Sequence, residues 1–146
     1  MSPRFEDVRV GEHIPQLEKL VRRSEVKAYA NASGDQNPLH QDEAVARKAG
    51  FPGIIAHGMF TMAHLVTCLT NWVGDPRALK RMRVQFRSAV FIGDSLVAGG
   101  RVLEKDPVTG RIKLDVWVSV DRAGATEYPI KRSTAEIELP KAGPPS

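Results

Sequence analysis

Hydrophobic and polar positions along the chain fall into two regimes. From Ser24 to Trp72 apolar residues recur at helical spacing between short polar loops. Ser24 predicts an N-cap, with SEVKAYANA following as helix and Gly34 stopping it. A short polar helix is expected over Gln41–Ala49, ended by Gly50, and FPGIIAHG reads as irregular. Met59, Met62, Leu65, Val66 and Leu69 then mark one long, largely buried helix from Met59 to about Trp72, ended by Gly74-Asp75-Pro76. The second regime alternates with period two. Leu79–Val90, Ser95–Lys105, Arg111–Val120 and Thr126–Leu139 predict four long strands in series, an antiparallel meander. The extended segment Gly11–Arg23 can join as a fifth strand. The expected architecture is α+β, an antiparallel sheet wrapped around a long central helix, as one domain over 1–140. The Pro/Gly tail 141–146 is expected to be disordered.

Candidate chemistry concentrates in YANASGDQNPLH, Tyr29 to His40, followed by IAHGM, Ile55 to Met59. The first places a carboxylate, Asp35, and an imidazole, His40, on a loop of Gly, Asn and Pro, which holds a fixed irregular turn. An acid and a base held close together are what proton transfer requires. Either residue alone has a plain structural use, Asp35 as a turn former and His40 at a helix start. The second segment opens the long helix, whose first N–H groups are unpaired and carry partial positive charge. Gly58 there lets a ligand approach the backbone. Asn37 suits a bond to the loop backbone or the positioning of His40. Tyr29 is expected to pack against the loop, and His64 to be a satisfied buried histidine.

Charge adds one feature. The 146 residues carry a net charge of +4, with Lys80, Arg81, Arg83 and Arg87 clustered. The basic residues are otherwise scattered and aromatics are few, which argues against nucleic acid and favours a small anionic group such as a phosphorylated carrier. Arg81, Arg83 and Arg87 alternate on one predicted strand and would share a face. No apolar run is long enough to span a membrane and the N-terminus is too charged for a secretory signal. The single cysteine, Cys68, cannot form an internal disulfide and fits a small core residue in a reducing cytoplasm. Asp35, His40 and His57 match no common zinc spacing and no nucleotide fingerprint occurs, so neither metal nor cofactor is expected.

YANASGDQNPLH resembles the hydratase-2 motif of MaoC-like dehydratases, with its Gly-Asp-x-Asn-Pro-Leu/Ile-His core. IAHGM and FRSAVFIGDSL, Phe86 to Leu96, resemble that family's other landmarks in order. This chain has Ser88-Ala89 where members often carry a proline. Members with a serine on the central helix find Thr61 or Thr67 here. The length and Thr70–Pro76 are most similar to (3R)-hydroxyacyl-ACP dehydratase subunits of type II fatty-acid elongation, including those of mycolic-acid synthesis, and to (R)-specific enoyl-CoA hydratases.

The resemblance implies the hot-dog fold and reversible hydration of a trans-2-enoyl thioester to an (R)-3-hydroxyacyl thioester, carried by CoA or acyl carrier protein. It implies Asp35 and His40 as catalytic groups and the Gly58 N–H as oxyanion donor. Asn37, His57, Arg83 and Arg87 are the candidate substrate-binding residues, the arginines toward carrier phosphates. A homodimer, or a heterodimer with a related hot-dog subunit, is the expected partnership, with no nucleic acid or membrane. A non-catalytic or partner-dependent subunit and a hot-dog thioesterase are the alternatives.

Overall fold

A computed structural model of the protein describes residues 2–141. Its frame is one five-stranded antiparallel sheet with the strand order β1-β3-β4-β5-β2. The strands are β1 (Leu17–Leu20), β2 (Leu79–Arg83), β3 (Ser95–Asp106), β4 (Arg111–Arg122) and β5 (Ala125–Glu138). The helices are α1 (Arg23–Ser33), α2 (Glu43–Lys48) and α3 (Gly58–Val73).

The three long strands follow from their alternation. On β4, Ile112, Leu114, Val116, Val118 and Val120 are buried, while the residues between them are not. Period two sends that set to one face, and the buried face fixes the register. The β4–β5 turn is two residues, Ala123 and Gly124, both with positive φ (49° and 81°). That twist matches the flanking strands. Register shifts interrupt β3–β4 once and β4–β5 twice, and such bulges bend a sheet.

α3 lies on the inner face and contacts β1, β3, β4 and β5. Its buried stripe is Phe60, Thr61, His64, Leu65, Cys68 and Leu69. Leu65 and Leu69 are fully buried, each stabilising the fold by about 1.5–3 kcal/mol relative to exposure. The stripe differs from the one expected, because Met59 stands 55% exposed and Phe60 and His64 take the inward places. Cys68 is buried in the core, where its thiol donates to the Pro15 and Ala98 carbonyls and desolvation pushes its pKa up to about 11.

Several boundaries differ from the sequence reading: of the extended segment expected over Gly11–Arg23, only Leu17–Leu20 joins the sheet as a strand, and Arg23 already belongs to α1. Ser24 is not the N-cap of α1; Arg22 is, without a side-chain bond. The second helix begins later, because the Asp42 carboxylate caps it at the Ala44 and Val45 N–H groups. Most consequentially, β2 is short and does not lie beside β3. It crosses to the far edge and pairs with β5, while β1 takes the place beside β3. Only β3-β4-β5 is a meander. β2 ends at Arg83, where β5 is kinked by Arg132 (φ 51°), and pairing resumes beyond it only as an isolated bridge between Phe86 and Ile130. The Gln85 N–H bonds the Ser133 hydroxyl instead, at 2.9 Å.

The tail expected over 141–146 lies outside the described residues from 142 onward. Lys141 itself is anchored, its Nζ donating to the carbonyls of Pro107 (2.6 Å) and Val108 (3.1 Å).

Candidate active site

The loop from Gly34 to His40 is built by short-range hydrogen bonds. Gly34 ends α1 in the left-handed region (φ 79°), its N–H donating to the Ala30 carbonyl. A side chain is strained there, so glycine allows the sharp exit. The Asp35 N–H then donates to the Ser33 hydroxyl (3.2 Å), and the Asn37 N–H donates to Asp35 Oδ1 (3.3 Å). Asn37 Oδ1 accepts the Leu39 N–H (3.0 Å), starting a 3-10 turn over Pro38–His40. Asx bonds in series replace regular structure. Asn37 is thereby engaged with the loop backbone. Asp35 has one oxygen engaged and the other, Oδ2, turned toward two imidazoles.

Those imidazoles come from either side of a 17-residue separation. His40 Nε2 and His57 Nε2 each stand 3.9 Å from Asp35 Oδ2. Their rings stack with centroids 3.8 Å apart at 27°. His40 Nδ1 donates to the Ile55 carbonyl at 2.7 Å, since a carbonyl only accepts. In the neutral ring with its proton on Nδ1, Nε2 presents a lone pair toward Asp35. His57 Nε2–H donates to the Asp35 carbonyl at 3.1 Å. Tyr29 packs at a tilt against His57, 4.9 Å between centroids, and edge-on against Phe60. Exposure grades across the set: the Asp35 side chain is 54% exposed, that of His40 12%, and that of His57 3%.

Gly58 sits at the first position of α3, where N–H groups lack intrahelical partners. A Cβ there would meet the Phe86 ring at 3.3 Å, so the glycine also makes room for Phe86. Phe86 is half exposed and comes from the segment after β2. The same segment is clamped by Arg122, which bonds the Asp94 carboxylate and the Ala89 carbonyl (2.9 Å) and lies over Phe91. The sequence reading quoted Ile55 and Phe86 within its second and third landmarks but gave neither a role, and it did not single out Arg122. A half-exposed aromatic and a backbone carbonyl leave no local signal, and only their contacts reveal them.

The arginines stand apart. Arg83 is exposed beside Arg81, Lys113, Thr134 and Glu136. Arg87 is not on β2 as the alternation predicted. It follows Phe86, its Nη1 donating to the Gln85 side chain and its N–H to the Pro129 carbonyl. His64 is the satisfied buried histidine expected, its Nε2–H donating to the Leu17 carbonyl at 2.9 Å, and burial holds its pKa below the usual value. Thr67 donates back to the Ala63 carbonyl at 2.9 Å.

Ligand atoms of Asp35, His40 and His57 lie within 4.8 Å of one another, a spacing that could hold a metal ion. The hydrogen bonds argue otherwise. His57 Nε2 carries the proton it gives to the Asp35 carbonyl, and its Nδ1 is buried. A metal needs a lone pair from each ligand, and here only Asp35 and His40 offer one to the shared space.

Residues 7–123 match the family profile described as MaoC like domain. The chain belongs to the MaoC-like domain family. This MaoC-like chain is 33% identical over 117 residues to a 3-hydroxybutyryl-CoA dehydratase of Methylorubrum extorquens, covering 80% of this chain and 74% of the relative. It is 37% identical over 99 residues to the peroxisomal enoyl-CoA hydratase 2 of Arabidopsis thaliana, but those residues span 63% of this chain and 32% of the plant protein. Among solved structures it resembles the unliganded R-hydratase PhaJ1 from Pseudomonas aeruginosa, with TM-score 0.83 and 27% identity, covering 95% of this chain and 86% of that one. The hot-dog architecture expected from the sequence is therefore the one observed, a curled antiparallel sheet around α3.

Proposed function

We propose that the protein is a hydro-lyase that adds water reversibly to a trans-2-enoyl thioester, giving an (R)-3-hydroxyacyl thioester. The observation that carries this reading is the 3.9 Å gap between Asp35 Oδ2 and His40 Nε2. It exceeds a direct hydrogen bond and admits one water at about 2.8 Å from each group. The dehydratase and R-hydratase relatives support the reaction class and its stereochemistry.

The chemistry follows from that water. As its oxygen bonds to C3, its proton passes to the dyad, where His40 Nε2 offers a lone pair. The C2–C3 π electrons move toward the thioester carbonyl, and the dyad returns a proton to C2. Negative charge develops on the thioester oxygen and suits the open N–H groups of the first turn of α3, beginning with Gly58. Nothing in this sequence needs a redox step.

The carrier is coenzyme A or an acyl carrier protein, and the setting is fatty-acid or related acyl metabolism. Arg87, next to Phe86 at Gly58, is the better placed of the two arginine candidates for carrier phosphates. Arg83, at the sheet edge, suits a carrier's acidic surface. Two copies, or one copy and a related subunit, pair through a sheet edge, because β1 and β2 leave edge strands open. No helix among the described residues is long and apolar enough to cross a membrane. The unpaired, buried Cys68 supports a reducing cytoplasm.

Purified protein assayed on crotonyl-CoA and longer 2-enoyl-CoAs tests the reading. Loss of the conjugated thioester absorbance without thiol release, with an (R) product, is expected. Thiol release from acyl-CoA with the conjugation untouched would overturn it in favour of a thioesterase.

A further inference from the structure

His57 has more contacts than a helix start requires. It is the N-cap of α3, yet its side chain caps nothing. A capping side chain accepts a first-turn N–H, but His57 Nδ1 is buried with no hydrogen-bond partner among the described residues. The ring is turned instead toward the loop 22 residues earlier in the chain. There its Nε2–H holds the Asp35 carbonyl (3.1 Å), and one face lies on the His40 ring (3.8 Å). Tyr29 packs against the ring as well. At 3% exposure the ring leaves almost no surface for a substrate to touch.

We propose that His57 is a positioning residue that sets the spacing of the Asp35–His40 dyad; this rests on the hydratase reading above. His40 is fixed by one hydrogen bond, to the Ile55 carbonyl, and a ring held at one atom can still pivot about it. The His57 face removes that pivot. Asp35 lies on a half-exposed loop, and the bonds of its own N–H and Oδ1 reach only two residues away. The bond from His57 ties this loop to the start of α3, where Gly58 waits for the thioester oxygen. One imidazole thus links base, acid and oxyanion donor, and Tyr29 backs it. The effect is present whether or not substrate is bound, so it acts on turnover rather than on affinity.

Two substitutions separate the two contacts. His57→Gln keeps an N–H near the Nε2 position and loses the ring. His57→Phe keeps a flat ring and loses the donor. Both should lower kcat on crotonyl-CoA by about tenfold or more, since displacement on the order of 1 Å costs up to roughly 10²-fold, with KM within about threefold. In an Asp35→Asn background the same changes should cost less than about threefold, because residues that act through one another are not additive. Crystal structures of the two variants should show the Asp35–His40 separation altered by about 1 Å. A raised KM at unchanged kcat would make His57 a substrate contact and overturn the proposal. So would equal losses in both backgrounds, unchanged kcat in folded variants, or failure of both variants to fold, which would make the ring a general structural element. If the wild type turns over no enoyl thioester, the hydratase reading fails, and the crystallographic separation still decides the positioning role.

Discussion

Replacing Asp35 with Asn is the sharpest test of the dyad, because the structure separates its chemical role from its structural one. Oδ1 accepts the Asn37 N–H at 3.3 Å, and an amide oxygen can do the same. The side chain is 54% exposed, so stability should stay within about 0.5 kcal/mol of wild type. What changes is the atom facing His40. An amide NH2 in place of Oδ2 donates where a carboxylate accepts, and it cannot take a proton from the bridging water. Turnover should fall by at least about a hundredfold, or about 2.7 kcal/mol of transition-state stabilisation. His40→Ala should cost similar activity and more stability, because it leaves the Ile55 carbonyl unpaired and uncovers His57; roughly 1–3 kcal/mol is expected for a buried group left without its partner. The double variant should be no slower than the slower single variant by more than about threefold, since one water serves both groups. Initial rates on crotonyl-CoA, followed by absorbance with circular dichroism as the folding control, measure all three. Near-wild-type turnover in folded Asp35→Asn would refute the dyad. Fully multiplicative losses would refute a shared water.

His64 makes stability depend on pH. Burial chiefly lowers its pKa from the ordinary 6.5, the nearby Lys19 charge adds to this, and the bond to the Leu17 carbonyl opposes it. Below pH 6.5 the unfolded chain takes up a proton that the folded chain resists, so stability should fall as pH drops through and below that value; His64→Gln should show a shallower fall in Tm between pH 7.5 and 5.5 than wild type, and identical slopes would contradict this. Arg87→Ala should raise KM for acyl-CoA at nearly constant kcat, with a smaller effect on a pantetheine thioester and at high salt; equal losses on both substrates would assign Arg87 to packing. Light scattering at micromolar concentration should report a dimer, and a stable monomer would contradict edge pairing.

Local rules made much of the molecule legible. The ends of β3, β4 and β5 lie within a residue or two of their expected positions, because alternation and turn residues act over two to four positions. Gly34 and Gly74 ended their helices as expected, both in the left-handed region. The GDQNPLH loop was also readable as a fixed turn, since its Asx and Ser bonds join residues two apart. Ser24 failed as a cap because the helix starts two residues earlier than a Ser24 cap implies, at Arg23, and a side-chain preference of about 1 kcal/mol does not decide that against packing.

By itself, the amino-acid sequence determined the candidate acid and base, the loop that carries them and the strands that would scaffold them, because each depends on neighbours along the chain. Tertiary structure decided the rest. It sent β2 to the far side of β5, brought the Ile55 carbonyl to His40, placed Phe86 over Gly58 and laid the ring of His57 against the dyad. The contacts at the site join residues 15 to 28 apart, and the β2–β5 pairing joins residues more distant still. They form because the sheet and α3 must bury one shared core, a constraint no local pattern expresses.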